Sequence, residues 1–339
     1  MARIIALLIG LGLVVFIVYQ TDLSEVWLGV LDLGASGAAA VVGVYLAVFL
    51  IDTASWQLTL PSARLTPRWL YRLWKVRMVG EALNLVVPAG SVGGEPVKAV
   101  LLKKFHGIGY HEGAASVIMA KTNNLLALLI FVSVGLTIMA RREWMPEPLL
   151  LGLMAGGAML ALGVLGFFTV QRWRAASRLG AWLAGRRIGR PLERALAHLE
   201  EVDHHFVRFY GRQPRRFAGA FVLGLGNWAL GAVEIYVIMW FLGRPVTFSD
   251  AVLIETAAQL ARAGAFFIPG SLGAIEGIMV LVYDAMTGSA ALGLAVALIR
   301  RGRELLWIAW GFWLGWLNAA GTAAVATRAS APGERAHGD

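Results

Sequence analysis

Residues 68–105 read RWLYRLWKVRMVGEALNLVVPAGSVGGEPVKAVLLKKF. A largely apolar run is interrupted by Pro88, Gly90, Ser91, Gly93 and Gly94, and a second short apolar run follows. Pro lacks the amide donor that a helix interior needs, and Gly weakens a helix, so the string predicts two helices joined by a turn. At about 1.5 Å per residue, the limb 96–105 falls far short of a hydrocarbon core roughly 30 Å thick. Arg68, Arg72, Lys75 and Arg77 precede the break, and Lys98, Lys103 and Lys104 follow it. Basic residues favour the cytoplasmic side, so both limbs are expected to open on that side, as a re-entrant hairpin.

Such a hairpin belongs in a membrane, and the composition places it there. Of the 339 residues 58% are hydrophobic and 15% charged, with a mean hydropathy of +0.68. A soluble domain carries about 25% charged residues, so an ordinary soluble enzyme is excluded. Thirteen Trp and 40 Gly suit membrane interfaces and close helix packing. The absence of Cys excludes disulfides and thiolate chemistry.

Full spans are expected at about residues 4–19, 36–58, 112–139, 148–170, 217–242 and within 290–325, each near the roughly 20 apolar residues a crossing needs. Asp22, Glu25 and Asp32 place the first connection outside, whereas Arg64 to Arg77 place the next inside. Residues 171–216 hold eleven Arg against Glu193, Glu200, Glu201 and Asp203, and are expected inside. This loop accounts for much of the formal charge of +9 without nucleic acid. Its portion 191–210 could lie as a short helix on anionic lipid headgroups. Both termini are expected in the cytoplasm, with residues 326–339 a disordered tail.

A second interrupted stretch, residues 251–287, reads AVLIETAAQLARAGAFFIPGSLGAIEGIMVLVYDAMT. Its Pro269-Gly270-Ser271-Leu-Gly273-Ala-Ile-Glu276 parallels Pro88-Ala-Gly90-Ser91-Val-Gly93-Gly94-Glu95, and Pro and Glu are seven residues apart in both. The following spans also align, placing Lys121 over Arg300 and Asn124 over Arg303. The chain therefore reads as an all-α polytopic membrane protein of about six full spans and two re-entrant hairpins. One membrane domain, 1–325, would contain an inverted repeat over about 68–130 and 251–309.

A broken helix at membrane depth frees backbone groups that need protein or a wet cavity, and its new N-terminus attracts anions. Ionisable residues in spans are costly and point to function. Lys121, Arg300 and Arg303 are candidate phosphate contacts, with Glu95 and Glu276 offsetting their charge. The alternative for the same residues is internal bridging, Glu95 to Lys121 and Glu276 to Arg300. Asn84, Asn124 and Arg262 flank the breaks and complete the set with Gly90, Ser91, Gly93, Gly94, Gly270, Ser271 and Gly273. Pro88 and Pro269 are the helix breakers. Asp52 reads as a lone interhelical hydrogen-bonding group, and Arg301 as a snorkelling residue or a mark of a break.

Enzyme signals are weak. Gly34-Ala-Ser36-Gly37 matches an intramembrane serine protease string, but every His lies in a loop or at a span edge. His204 and His205 lack a metal-protease spacing, and no Walker A string occurs. Neither catalysis nor a cofactor or metal is expected.

The strings at Asn84–Glu95 and Ile268–Glu276, with AKTNNLLALL at 120–129, resemble the flippase-like family of the lysylphosphatidylglycerol synthase transmembrane region, which includes hopanoid-associated membrane proteins. The resemblance covers nearly all of residues 1–325. It implies a bacterial or archaeal cytoplasmic-membrane protein that translocates lipids or lipid-linked precursors. In the synthases an aminoacyl-transferring domain follows; here a short tail follows, so the transport half alone is expected. Its partners would be a membrane lipid substrate and anionic lipid at the basic loop, with a second copy or a lipid-synthesis enzyme as a candidate protein partner. The other expectation is a non-transporting scaffold docked through that loop.

Overall fold

The computed structural model describes residues 11–19, 21, 23–86, 94–172, 211 and 213–330, apart from the side chains of residues 85–86, 170–172, 269 and 317–330. Every regular element among the described residues is helical. They are α1 (Leu11–Tyr19), α2 (Leu23–Asp32), α3 (Gly34–Thr59), α4 (Pro67–Val86), α5 (Glu95–His106), α6 (Tyr110–Met139), α7 (Glu147–Arg172), α8 (Pro214–Phe241), α9 (Phe248–Gly264), α10 (Ala274–Thr287) and α11 (Ala290–Ser330).

Four of these helices, α3, α6, α7 and α8, are long and apolar enough to cross a membrane; a fifth crossing results if α1 and α2 count as one bent span. Their boundaries lie within a few residues of those read from hydropathy. The last expected span is contained in the 41-residue α11, whose Arg300, Arg301, Arg303 and Glu304 interrupt its apolar run. The acidic stretch after the first span forms the helix α2, which packs on α11.

Both interrupted stretches form paired helices. In the second, a 3-10 turn at Pro269–Ser271 separates α9 from α10, with left-handed backbone at Gly270 (φ 61°) and Ser271 (φ 49°). In the first, Pro88, Gly90, Ser91 and Gly93 lie outside the described residues, as do most of the basic loop and the end of the tail. At about 1.5 Å per residue, the 12 residues of α5 and the 14 of α10 span roughly 18 and 21 Å. Both are shorter than a hydrocarbon core.

Packing follows from small residues and from an exchange of partners. Helices α3 and α8 form the largest helix contact. The first limb of one pair packs on the long helix after the other: α4 on α11, and α9 on α6. Each second limb packs on its own following helix, α5 on α6 and α10 on α11. The α4–α11 crossing is tight at Gly311, where a Cβ would overlap the Met78 carbonyl oxygen. Close backbone approach of this kind is how membrane helices gain dispersion contacts that lipid cannot supply.

The main core gathers around α9, in which residues 251–260 are all buried. Ile235, Ile238 and Met239 of α8 and Met279, Val282 and Tyr283 of α10 complete it. Thr247 caps α9, accepting from the Asp250 amide at 3.2 Å, and Arg142 beyond α6 holds the Asp250 carboxylate at 2.6 Å. A smaller core beneath α4 and α5 contains Trp56, Leu73, Val76 and Leu102. Its Trp56 indole donates to Ser116 Oγ at 3.2 Å.

Candidate functional site

Polar and aromatic residues recur on these helices mostly at spacings of three, four or seven, which put them on one helix face. The series are Tyr45, Phe49 and Asp52 on α3; Arg77, Glu81 and Asn84 on α4; Asn227 and Glu234 on α8; Glu255, Gln259 and Arg262 on α9; and Arg300, Arg303, Glu304 and Trp307 on α11. All of these residues line a single cavity of about 460 Å³. Glu95, Lys98, Lys121, Asn124, Gly270, Ser271 and Arg301 line it as well. The cavity is therefore built from both interrupted pairs, and the turn at Pro269–Ser271 packs directly against α4.

On the α4–α5 side, Glu95 is the hub. Lys98 Nζ approaches its carboxylate at 3.0 Å and Lys121 Nζ at 3.4 Å. Lys98 is nearly buried and also binds Glu81 at 2.8 Å, whereas the Lys121 side chain is 49% exposed. Asn84 ties the two limbs together: its Oδ1 accepts from the Gly94 amide at 2.6 Å, and its Nδ2 donates to Glu95 at 3.3 Å. Gly94 has no substitute here, because a Cβ would overlap the Gly80 carbonyl oxygen. Asp52 is not a lone group. It pairs with Arg77 and accepts from Asn124 Nδ2 at 2.9 Å.

On the α9–α10 side, the partner of Glu276 is Arg301, not Arg300. Arg301 donates to Glu276 from Nε at 3.0 Å and Nη2 at 2.7 Å, and from Nη1 to the Gly270 carbonyl at 2.9 Å. The guanidinium thus satisfies a carbonyl that the helix break leaves free, which an apolar membrane interior requires. Glu276 Oε2 accepts from the Gly273 amide at 2.8 Å, so it also caps α10. Arg301 bridges to Glu304 at 3.0 Å, and Glu304 to Arg262 at 3.1 Å.

Arg300 points into a separate buried knot. It meets Glu255 at 2.8 Å and Glu234 at 3.4 Å, and Arg303 meets Glu234 at 2.6 Å. Gln259 donates to the second Glu255 oxygen at 2.6 Å. An isolated charge at mid-membrane costs about 2.5–3.5 kcal/mol on insertion scales, so these four charges are tolerable because they are mutually paired.

The structure thus brings together Asn84, Glu95, Lys121, Asn124, Arg262, Gly270, Ser271, Arg300 and Arg303 on one cavity wall system. Gly94, Gly273 and Glu276 stand behind that wall and position it. Residues that the sequence reading left out of the site are Asp52, Arg77, Glu81, Lys98, Glu234, Glu255, Arg301 and Glu304. Their signal was present as the polar spacing that puts such residues on one helix face.

The comparisons with known proteins place the chain among membrane proteins. A UPF0104 membrane protein of Pyrococcus horikoshii is 24% identical over 319 residues, covering 89% of this chain and 92% of that protein. A UPF0104 membrane protein of Methanothermobacter thermautotrophicus is 24% identical over 269 residues, covering 75% of this chain and 74% of its own length. No solved structure matches. The family description lysylphosphatidylglycerol synthase TM region matches residues 3–311, so this chain is a membrane protein that belongs to that family.

Proposed function

We propose that this protein moves a phosphate-bearing membrane lipid between leaflets, with the headgroup passing through the central cavity while the chains stay in the bilayer. The observation that carries this reading is the convergence of both interrupted helix pairs on one polar cavity inside an apolar helical body. A volume of about 460 Å³ suits a headgroup.

The charges favour exchange over simple filling. Seven cations and six carboxylates line the cavity, and each has an opposite partner at hand. An entering phosphate displaces an internal carboxylate from Lys121 or Arg262, the two most exposed cations of the set. In this reading α4–α5 and α9–α10 are re-entrant hairpins of an inverted repeat, consistent with their exchanged packing partners. A phospholipid, a hopanoid derivative or a polyprenyl-phosphate lipid fits this chemistry, in the bacterial or archaeal cytoplasmic membrane.

The test uses purified protein in vesicles carrying fluorescent lipids of several headgroups, with an impermeant quencher outside. Protein-containing vesicles should lose inner-leaflet label faster than empty ones for at least one phosphate-bearing lipid. Kinetics equal to empty vesicles for every headgroup would reject the proposal.

A further inference from the structure

Every cavity cation faces a carboxylate, yet Arg77 Nε and donors of Arg303 are buried without a hydrogen-bond partner, and at Arg303 a second residue joins them. Arg303 on α11 is only 4% exposed, and its Nε lies 2.6 Å from a Glu234 oxygen as an ion pair without hydrogen-bond geometry. Its Nη1 is buried and has no hydrogen-bond partner. One helical turn on, the Trp307 indole Nε1 is also buried without a partner. Both residues line the cavity. Buried donors are nearly always paired, so two adjacent unpaired ones mark a place for an acceptor.

The surroundings give that acceptor a route. The backbones of α3 and α11 hardly approach one another, and rings fill the gap. The Trp307 ring lies 6.0 Å from Tyr45 and 5.4 Å from Phe49, and the Arg303 guanidinium sits 3.5 Å from the centre of the Tyr45 ring. Outside this seam, Leu46 and Leu50 of α3 and Leu306 of α11 are exposed on the apolar surface. A wall made of side chains alone can part by rotamer changes, whereas a packed helix crossing cannot.

We propose that Arg303 Nη1 and Trp307 Nε1 form a phosphoryl-binding subsite, reached sideways from the bilayer between α3 and α11, with the Tyr45 ring as its cover. The acceptor is a phosphate oxygen of a lipid headgroup, since a guanidinium N–H with an indole N–H one helical turn away matches an oxyanion. The lipid chains lie in the apolar seam outside. The subsite rests on the reading of the cavity as a headgroup site, but it requires binding only, not movement between leaflets.

The test measures binding of phosphatidylglycerol, diacylglycerol and inorganic phosphate to the full chain in nanodiscs. The variants are Trp307→Phe, which keeps the ring and removes the N–H, and Arg303→Lys, which keeps the charge facing Glu234. Each should weaken phosphatidylglycerol by about tenfold, the worth of one hydrogen bond to a charged group. Diacylglycerol binding should not change, and melting of Trp307→Phe should match the parent. Competition by millimolar inorganic phosphate would assign the subsite to soluble phosphates and overturn the lipid route; no competition supports it. Unchanged phosphatidylglycerol binding in both variants, or equal loss for diacylglycerol, overturns the subsite. Binding through Trp307 without any lipid movement keeps the subsite and rejects transport. Transport with binding indifferent to both variants does the reverse.

Discussion

Arg301 and Glu276 form a forked ion pair in which Nε at 3.0 Å and Nη2 at 2.7 Å share one carboxylate oxygen. The same guanidinium holds the Gly270 carbonyl at 2.9 Å, so one side chain locks the helix break to α11. Arg301→Gln should strand a buried carboxylate and a free carbonyl, at a cost of about 3–5 kcal/mol. Glu276→Gln should cost less, because its amide oxygen still accepts from Gly273. Thermal unfolding in detergent reads both, and the double variant should lose less than the sum.

Lys98 and Lys121 share Glu95 but should behave differently. The Lys98 side chain is 7% exposed and also holds Glu81, so Lys98→Met should destabilise the fold by roughly 3 kcal/mol or more. The Lys121 side chain is 49% exposed, and its bridge contributes less than about 1 kcal/mol. Lys121→Met should therefore melt like the parent while losing lipid movement. Equal melting losses in the two variants would contradict the assignment of one lysine to structure and the other to the cavity.

Gly311 sets the separation of α4 and α11. Gly311→Val would push the Met78 backbone away, and overpacking of this kind costs about 1–3 kcal/mol. Gly315→Ala is the control, since its Cβ would meet Val79 at an ordinary 3.6 Å. Monodisperse yield and melting temperature should fall for the first substitution and hold for the second.

The chain has no Cys, so an introduced thiol is the only one to label. Lys121→Cys should react with a charged, membrane-impermeant thiol reagent, because residue 121 lines the cavity with half its side chain open. Leu253→Cys, at a position with no exposure in the core, should react only after unfolding. Equal protection of both would mean that water does not reach the cavity.

Much of this architecture was legible in the sequence. The ends of α3, α6, α7 and α8 were readable because long apolar runs between charged flanks leave little choice of register. The second helix break was readable from Pro269, Gly270 and Gly273. The charge network was less so. Glu234 is the only charged residue of 217–243 and Glu255 the only one of 251–261, so the polar spacing marks their helix faces, but only the fold shows that Arg300 lies between them. Aligning the two halves by residue type paired Lys121 with Arg300. By contact the cation that meets Glu276 is Arg301, one residue on from Arg300, because which side chain reaches a glutamate depends on helix face and not on matching residue types. α2 was missed because Asp22, Glu25 and Asp32 read as a connection, although Val26 packs in a small core with Leu294 of α11.

The most direct test of the central claim is the rate at which reconstituted protein exposes inner-leaflet fluorescent lipid to an external quencher, compared between the parent, Glu95→Ala and Glu276→Ala. The account predicts movement above empty vesicles for the parent and a clear reduction in both variants at equal incorporation of folded protein. Parent and variants all matching empty vesicles, or both variants matching an active parent, would contradict it.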